Sequence, residues 1–202
     1  MKFLVGTKKG MTQVFDETGA VHPVTVLSVP PVTVTQVKSK ETDGYTAVQV
    51  GYGSQKEHRV NKAQQKKGLF RGYKEFHVAD TAPFAVGTTI DASVFAEGDA
   101  VQVSGTTKGK GFQGVVKRHG FHGGPRSHGQ KHSEREPGSI GGGPGRAGGR
   151  VVRGLRMAGR MGSDRVTTTN LKVIKVDAEK GEIMIEGSVP GRPGTVIEIV
   201  QK

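Results

Sequence analysis

The stretch VHPVTVLSVPPVTVTQVK, residues 21–38, decides the fold class. It contains two β-rich runs, Val21–Val29 and Val32–Lys38, which the turn formers Pro30 and Pro31 separate. In the second run apolar and polar side chains alternate, and this period of two is typical of a strand with one apolar face. Because the linker is so short, the two runs predict consecutive strands of an antiparallel meander.

Similar runs occur on both sides of this stretch and share its short length and its flanking turn residues. In chain order they are Lys2–Thr7, Met11–Phe15, Ala47–Tyr52, Tyr73–Val78, Ala100–Ser104, Leu171–Asp177, Glu182–Gly187 and Thr195–Gln201. Helix candidates are the short segments Asn61–Lys67 and Phe112–Arg118. Strand candidates at both ends predict a mainly β protein, with a small closed barrel into which the middle of the chain is inserted.

The segment Gly105–Arg165 differs from the rest of the chain in charge. It holds 13 Lys or Arg against 3 Asp or Glu, so it carries +10 of the net charge of +12, and it holds 18 of the 32 Gly. The other residues have 17 basic and 15 acidic side chains and are close to neutral. The segment has too little apolar surface to offset the entropy cost of ordering, so we expect it to need a polyanionic template.

Composition excludes several classes of function. The chain has no Cys, which rules out disulfides, thiolate metal sites and cysteine nucleophiles. No apolar run approaches the roughly 20 residues that a membrane span needs, and the residues from Met1 to Gly10 lack a signal-like apolar region. An anionic membrane surface remains a weaker candidate partner than nucleic acid, because the basic segment lacks a bulky apolar face. We therefore expect a cytoplasmic protein without a membrane partner.

The sequence Gly109–Gly114 matches the G-x-G-x-x-G pattern of dinucleotide-binding loops. It follows a predicted strand and precedes a predicted helix, but the stretch His119–Ser133 offers no second strand ending in an acidic residue. A Rossmann site is therefore disfavoured. Binding of a phosphate by a Gly-rich turn remains open and would suit an RNA backbone equally well.

Two clusters raise the possibility of metal binding or catalysis. The first is a set of four histidines: His119, His122, His128 and His132. Zinc would prefer carboxylate or thiolate partners, and the neighbouring Lys and Arg side chains repel a dication. The second cluster, Glu134 and Glu136 with nearby Ser133 and Ser139, is too loose for a catalytic constellation and favours ion pairing. We expect no metal, no cofactor and no enzymatic activity, with the histidines contacting nucleic acid instead.

Arginines recur every three or four residues in the second half of the segment, in a Gly-rich background. They are Arg146, Arg150, Arg153, Arg156 and Arg160. Arg clamps phosphate with two hydrogen bonds, and the glycines allow the backbone to approach a sugar-phosphate chain. No aromatic residue follows Phe121 and no DNA-reading helix is apparent, so a folded RNA is the preferred partner. A solvated basic surface and a DNA-compacting protein remain the alternatives.

Four motifs, in this order along the chain, resemble the bacterial form of large-ribosomal-subunit protein three. They are Gly6–Thr12 followed by Pro23–Val26, then Gly105–Gly114, then Pro137–Gly141, and finally Met157–Gly162 with Arg165–Thr167. The resemblance covers nearly the whole chain. It implies a β-barrel of the translation-protein type with an inserted α+β portion, and a long extended basic loop that reaches through ribosomal RNA toward the peptidyl transferase centre.

The resemblance also implies partners and a function. The chain would be a structural constituent of the large subunit that binds 23S rRNA, helps to nucleate assembly, contacts ribosomal proteins fourteen and nineteen, and is not a homo-oligomer. Residues 1–104 would supply barrel strands and the insertion, residues 105–165 the RNA-binding loop, and residues 166–202 the closing strands. The implied RNA contacts are Lys108, Lys110, Lys117, Arg118, Arg126, His128, Lys131, Arg135, Arg146, Arg150, Arg153, Arg156 and Arg160.

One departure from the family concerns the residues between Gly141 and Val151. The family often has a polar stretch here with a Gln that some bacteria methylate, whereas this chain has GGPGRAGGR. We therefore expect no such methylation in this protein.

Overall fold

The computed structural model of the protein describes residues 1–141 and 151–201. Within these residues the fold is mainly β, as predicted. The strands are β1 (Phe3–Phe15), β2 (Val21–Ser28), β3 (Val32–Lys38), β4 (Ala47–Ser54), β5 (Phe70–His77), β6 (Thr89–Ile90), β7 (Ala100–Thr106), β8 (Gly111–Gln113), β9 (Gly159–Met161), β10 (Arg165–Asp177), β11 (Glu182–Glu186) and β12 (Val196–Gln201). The α-helices are short: α1 (Lys40–Asp43), α2 (Lys62–Gln65) and α3 (Val115–His119).

The chain divides into two compact units. One consists of residues 1–107 and 165–202, and we call it the core unit. The other consists of residues 108–164, and we call it the basic unit. The N- and C-terminal parts of the chain thus fold together, and the basic unit is inserted between β7 and β10 in the sequence.

Six strands of the core unit hydrogen-bond in the closed order β1-β12-β7-β10-β11-β2. Every pairing between these strands is antiparallel. The register shifts in β1 between Lys8 and Gly10, and in β10 between Thr168 and Leu171. Such bulges bend a strand and increase its twist, which a small closed sheet needs.

Large apolar side chains from these strands fill the interior of the core unit. Fully buried examples are Phe3, Leu4, Leu27, Ile183, Ile185, Ile197 and Ile199. The four isoleucines occupy alternate positions in β11 and β12, as expected for strands with one face toward the interior. The close approach of β1 to the end of β2 requires glycine at position 6, because a Cβ there would lie 2.8 Å from the backbone oxygen of Ser28.

A second sheet of the core unit, in the order β5-β4-β3-β6, comes from the chain between β2 and β7. It shares the hydrophobic core with the six-stranded sheet, since the rings of Phe3 and Phe76 stack with centroids 4.5 Å apart. Lys74 in β5 also pairs with Glu198 in β12 at 2.7 Å, and Arg165 contacts the same carboxylate. Burial raises the pKa of Glu198, but hydrogen bonds from the two cations outweigh it and leave the pKa lowered.

The strand predictions fail mainly at their ends. The predicted runs Lys2–Thr7 and Met11–Phe15 form one strand, β1, because a bulge accommodates the Lys9-Gly10 pair without ending the ladder. Likewise β10 begins at Arg165 rather than at Leu171, since Asn170 adopts a left-handed backbone (φ 59°) within the bulge. Bulges interrupt the alternation of side chains, so a periodic pattern misses them.

Short elements were also missed or misplaced. The sequence did not predict α1, β6, β8 or β9, each of which has four or fewer residues. The predicted helix Phe112–Arg118 is wrong in its first half, because Phe112 and Gln113 pair with β9 and α3 begins only at Val115. The extended loop expected over residues 105–165 contains β8, α3, β9 and a helical turn at Ser133–Arg135. Whether such short segments form strands depends on pairing partners far away in the sequence, and local composition does not reveal those partners.

Candidate nucleic-acid interface

A two-stranded antiparallel sheet, β8 with β9, joins the two ends of the basic unit, and we call this part its base. Strands β8 and β9 pair antiparallel, with Phe112 opposite Arg160, and the Lys110 N–H donates to the Met161 carbonyl at 2.9 Å. Gly162 has φ 78°, and a Cβ at this position would lie 2.2 Å from the Lys108 carbonyl oxygen. Only glycine therefore allows the two chain segments at the base to approach so closely.

The helix α3 carries three basic side chains in its last turn, where cations interact favourably with the helix dipole. Gly120 ends the helix with φ 73°, and its N–H donates to the Val116 carbonyl at 3.0 Å. Arg118 Nη1 donates to the Met157 carbonyl at 2.7 Å, and His119 Nε2 lies 3.0 Å from the same oxygen. Arg118 thus fixes the returning segment of the basic unit.

The loop after α3 folds back on itself through backbone contacts. The Gly124 N–H donates to the Glu134 carbonyl at 2.9 Å, and the Glu134 carboxylate accepts from Arg126 Nε at 2.7 Å. Gly123 has φ 77°, and a Cβ there would lie 2.1 Å from the Glu134 carbonyl oxygen. The Gln130 amide donates to the Ser133 hydroxyl and closes the loop.

The structure places ten of the predicted RNA-contacting side chains on the surface of the basic unit. Exposed are Lys108, Lys110, Lys117, Arg126, His128, Lys131, Arg135, Arg153, Arg156 and Arg160. Arg118 is half-buried because it also holds the Met157 carbonyl. Arg146 and Arg150 lie outside the described residues, as does the stretch 142–150 in which the methylated Gln of the family would occur. Their assignment as RNA contacts stays a prediction.

The basic unit has almost no hydrophobic core. Of the buried hydrophobic side chains in the described part of the chain, only Val115 belongs to it. Large apolar side chains are instead exposed, namely Phe112, Ile140, Val151, Val152 and Leu155. Backbone and side-chain hydrogen bonds, rather than apolar burial, therefore order the described part of this unit.

The alternative sites raised by the sequence find no support in the described residues. All strand pairings there are antiparallel, so Gly109–Gly114 does not lie in a parallel βαβ unit, and part of it forms β8. Across residues 1–141 and 151–201, no group of three or more His, Asp or Glu side chains could hold a metal ion. In the same residues, no helix has the length and apolar character to cross a membrane.

Sequence reasoning overlooked one feature of the basic unit, a cavity of about 540 Å³. Its lining includes Phe121, Gln130 and Ser133, none of which was among the predicted contact residues. The run HGFHGG, residues 119–124, mixes rings and glycines and was the available signal. From the sequence, only its histidines were considered, as possible metal ligands and as contacts to nucleic acid.

Comparison with known proteins identifies the family. A sequence model of the family described as Ribosomal protein L3 matches residues 54–186. The chain is 54% identical to the large ribosomal subunit protein uL3 of Nocardia farcinica, over 96% of this chain and 90% of that protein. It is 49% identical to uL3 of Trichormus variabilis (98% and 95%) and 50% identical to uL3 of Thermobifida fusca (98% and 93%). The chain therefore belongs to the ribosomal protein L3 family and has a structural role in the ribosome rather than an enzymatic one.

Proposed function

We propose that the chain is a structural component of the large ribosomal subunit that binds 23S rRNA through its basic unit. Its location, from the family, is the ribosome in the bacterial cytoplasm. The observation that carries the proposal is the surface of residues 108–164, where ten exposed or half-buried Lys and Arg side chains accompany a single buried hydrophobic residue in the described part. A unit built in this way gains stability when a polyanion neutralises it.

The geometry of the basic unit suits a phosphate backbone. Lys117, Lys131 and Arg135 are exposed on separate elements, so they can reach different phosphates along a folded RNA. Glycine-rich segments between them present backbone N–H groups without side chains in the way. Such contacts position RNA without reading its sequence, and the folded shape of the RNA supplies the selectivity.

The exposed apolar side chains support a template that is folded rather than single-stranded or duplex. Val152 is 57% exposed and Ile140 is 46% exposed in the chain by itself. Crevices between RNA helices can cover such groups, whereas a regular DNA duplex offers only its grooves and backbone. A DNA-compacting role is therefore the weaker alternative.

The finer features follow from family membership and are part of the proposal. The closed order of six strands supports a barrel of the translation-protein type, and the sheet β5-β4-β3-β6 with α1 and α2 supports the inserted α+β portion. The core unit would lie near ribosomal proteins fourteen and nineteen, and the chain would act as a single copy. The basic unit would assist assembly and support the peptidyl transferase centre without supplying a catalytic group.

The salt dependence of binding tests this function directly. If about 10 phosphates are engaged, the logarithm of the affinity of the full chain for 23S rRNA falls against log salt with a slope of about −7 to −9. A slope shallower than about −3 would contradict the proposal. Duplex DNA and 16S rRNA at matched salt serve as competitors, and equal binding to duplex DNA would favour the compaction alternative.

A matched pair of charge variants assigns the contact to the basic unit. Replacing Lys117, Lys131 and Arg135 together with Gln should make the slope shallower by about 2 to 3, since each lost phosphate contact removes about 0.7 to 0.9. The same replacement at Lys56, Arg59 and Lys62, which are exposed in the core unit, should leave the slope unchanged. An equal effect of both triple variants would place the RNA contact elsewhere.

A further inference from the structure

The cavity of about 540 Å³ lies wholly within the basic unit, and phosphate binding does not account for its mixed aromatic and polar lining. Its lining comes from residues 119–124, from Gln130 and Ser133, from residues 136–138 and from Arg156. The volume falls within the about 300–1,000 Å³ typical of ligand pockets. It is therefore large enough for a group of defined shape rather than a single ion.

One side of the cavity is aromatic. The rings of His119 and Phe121 lie with centroids 6.0 Å apart and planes inclined by 44°. Phe121 is half-buried, so its position is fixed by the loop while part of the ring remains accessible. RNA-binding proteins use such Phe and His rings to stack bases that have left the helical stack.

Much of the remaining lining is polar and comes from Gln130, Ser133, Glu136 and Arg156. The Gln130 amide is oriented by its hydrogen bond to the Ser133 hydroxyl. Gly124 lies close beside it, since a Cβ there would be 2.9 Å from Gln130 Nε2 and 3.2 Å from the Ser133 carbonyl oxygen. An oriented amide, a hydroxyl and the Arg156 guanidinium together offer donors and an acceptor of the kind that pair with the edge of a base.

We propose that this cavity binds one unstacked nucleobase of the RNA, with the base on the Phe121 ring and its edge toward Gln130 and Ser133. The proposal rests on the proposed function, because the nucleobase belongs to the bound RNA. A phosphate would instead favour exposed cations such as Lys117 and Lys131, which do not line the cavity, and would be repelled by Glu136, which does. The cavity thus adds recognition of one nucleotide to a surface that otherwise contacts backbone.

The test compares two aromatic residues of the basic unit in the full chain bound to 23S rRNA. Phe121→Ala should weaken binding by roughly 5- to 150-fold, which is the about 1–3 kcal/mol lost when the ring under a stacked base is removed. The salt slope should not change, because no phosphate contact is lost. Phe112→Ala is the matched control, since Phe112 is 75% exposed and is not part of the lining. Phe121→Tyr, which keeps the ring face, should bind like the wild type.

A second measurement does not depend on the stability of an Ala variant. A photoreactive benzoylphenylalanine at position 121 should crosslink to one nucleotide of 23S rRNA, and at position 112 it should not crosslink to that nucleotide. Millimolar free nucleoside monophosphates should leave this crosslink intact, and its loss to them would mean that the cavity takes free nucleotides rather than a base in RNA.

The proposal is overturned if Phe121→Ala and Phe112→Ala bind alike while both unfold at the wild-type temperature, or if the crosslinks from position 121 scatter over many nucleotides. These outcomes are distinct from failure of the proposed function. If the proposed function fails, the wild-type chain itself does not bind 23S rRNA with a steep salt slope.

Discussion

The core unit and the basic unit are built from the same chain by opposite physical means. The core unit owes its stability to apolar side chains such as Leu27 and Ile199, which are completely buried. In the described part of the basic unit only Val115 is buried, and backbone and side-chain hydrogen bonds take over. The comparison teaches that a segment can have a defined conformation with little apolar burial, and under the proposed function a polyanion that its charge attracts would supply the missing stability.

The largest expected effect is the loss of stability caused by a substitution in the hydrophobic core, and it should distinguish the core unit from the basic unit. Ile199→Ala should lower the free energy of unfolding by about 2–5 kcal/mol, since it removes a fully buried side chain and leaves a cavity. Val152→Ala should change it by less than about 0.5 kcal/mol, because that side chain is 57% exposed in the basic unit. Denaturant unfolding of both variants measures the contrast, and equal losses would mean that the basic unit also has a packed core.

A glycine substitution at the base of the basic unit should have the next largest effect. Gly162→Ala adds a Cβ 2.2 Å from the Lys108 carbonyl oxygen, so it should separate the paired segments and weaken 23S rRNA binding by roughly tenfold or more, as the competent conformation becomes rarer. Gly154→Ala is the control, because Gly154 has a similar φ of 84° but no atom within 4 Å of an added Cβ. If filter-binding affinities of the two variants agree, backbone strain rather than close approach explains the glycine.

An ion cluster inside the core unit should have a smaller, pH-dependent effect. Glu198 accepts from Lys74 and Arg165, and its pKa is lowered from 4.5. The stabilisation is therefore present above the unfolded pKa and is lost as the pH falls through the folded pKa. Glu198→Gln should cost about 1 kcal/mol at neutral pH after solvent screening, and the difference from wild type should vanish in acid. Urea unfolding from pH 7 downward measures it, and a difference that persists in acid would contradict this origin.

The smallest effect concerns His22 at the β1–β2 hairpin. Its imidazole lies 3.2 Å from Glu186 and 3.5 Å from Asp16, and hydrogen bonds to these carboxylates raise its pKa from 6.5. The resulting stabilisation is complete below about the unfolded pKa of 6.5 and is lost as the pH rises through the higher folded pKa. His22→Gln should thus lower the melting temperature slightly at pH 6 and not at pH 9. A larger loss at pH 9 would contradict the assignment.

The predictability of the two units from sequence also differs. In the core unit, alternation of side chains predicted strands such as β3 with both ends correct, because a half-buried sheet imposes a period of two on the sequence. Its errors lie at bulges, such as the one at Asn170, where an extra residue interrupts the period. In the basic unit, composition predicted a nucleic-acid contact but not β8 or β9, because their pairing joins residues about fifty positions apart.

For the candidate site, charge alone predicts which side chains are exposed, and their contacts to RNA stay a prediction. Lys117 and Arg135 are exposed as a phosphate-binding surface requires, and this followed from the excess of basic residues. Two other features depend on how the loop folds back on itself. They are the hydrogen bond from Arg118 to the Met157 carbonyl and the cavity that Phe121 lines. Within this loop Gly123 and Gly124 approach residues 130–135 closely, and two adjacent glycines in the sequence do not reveal which segment they contact.

Amide hydrogen exchange of the full chain, alone and bound to 23S rRNA, tests the central claim most directly. In the free protein the amides of the core strands should be strongly protected, whereas those of residues 108–164 should exchange rapidly because few apolar contacts stabilise them. Binding to 23S rRNA should slow exchange across the basic unit and leave the core unchanged. Protection of the basic unit equal to that of the core strands in the free protein would contradict the account.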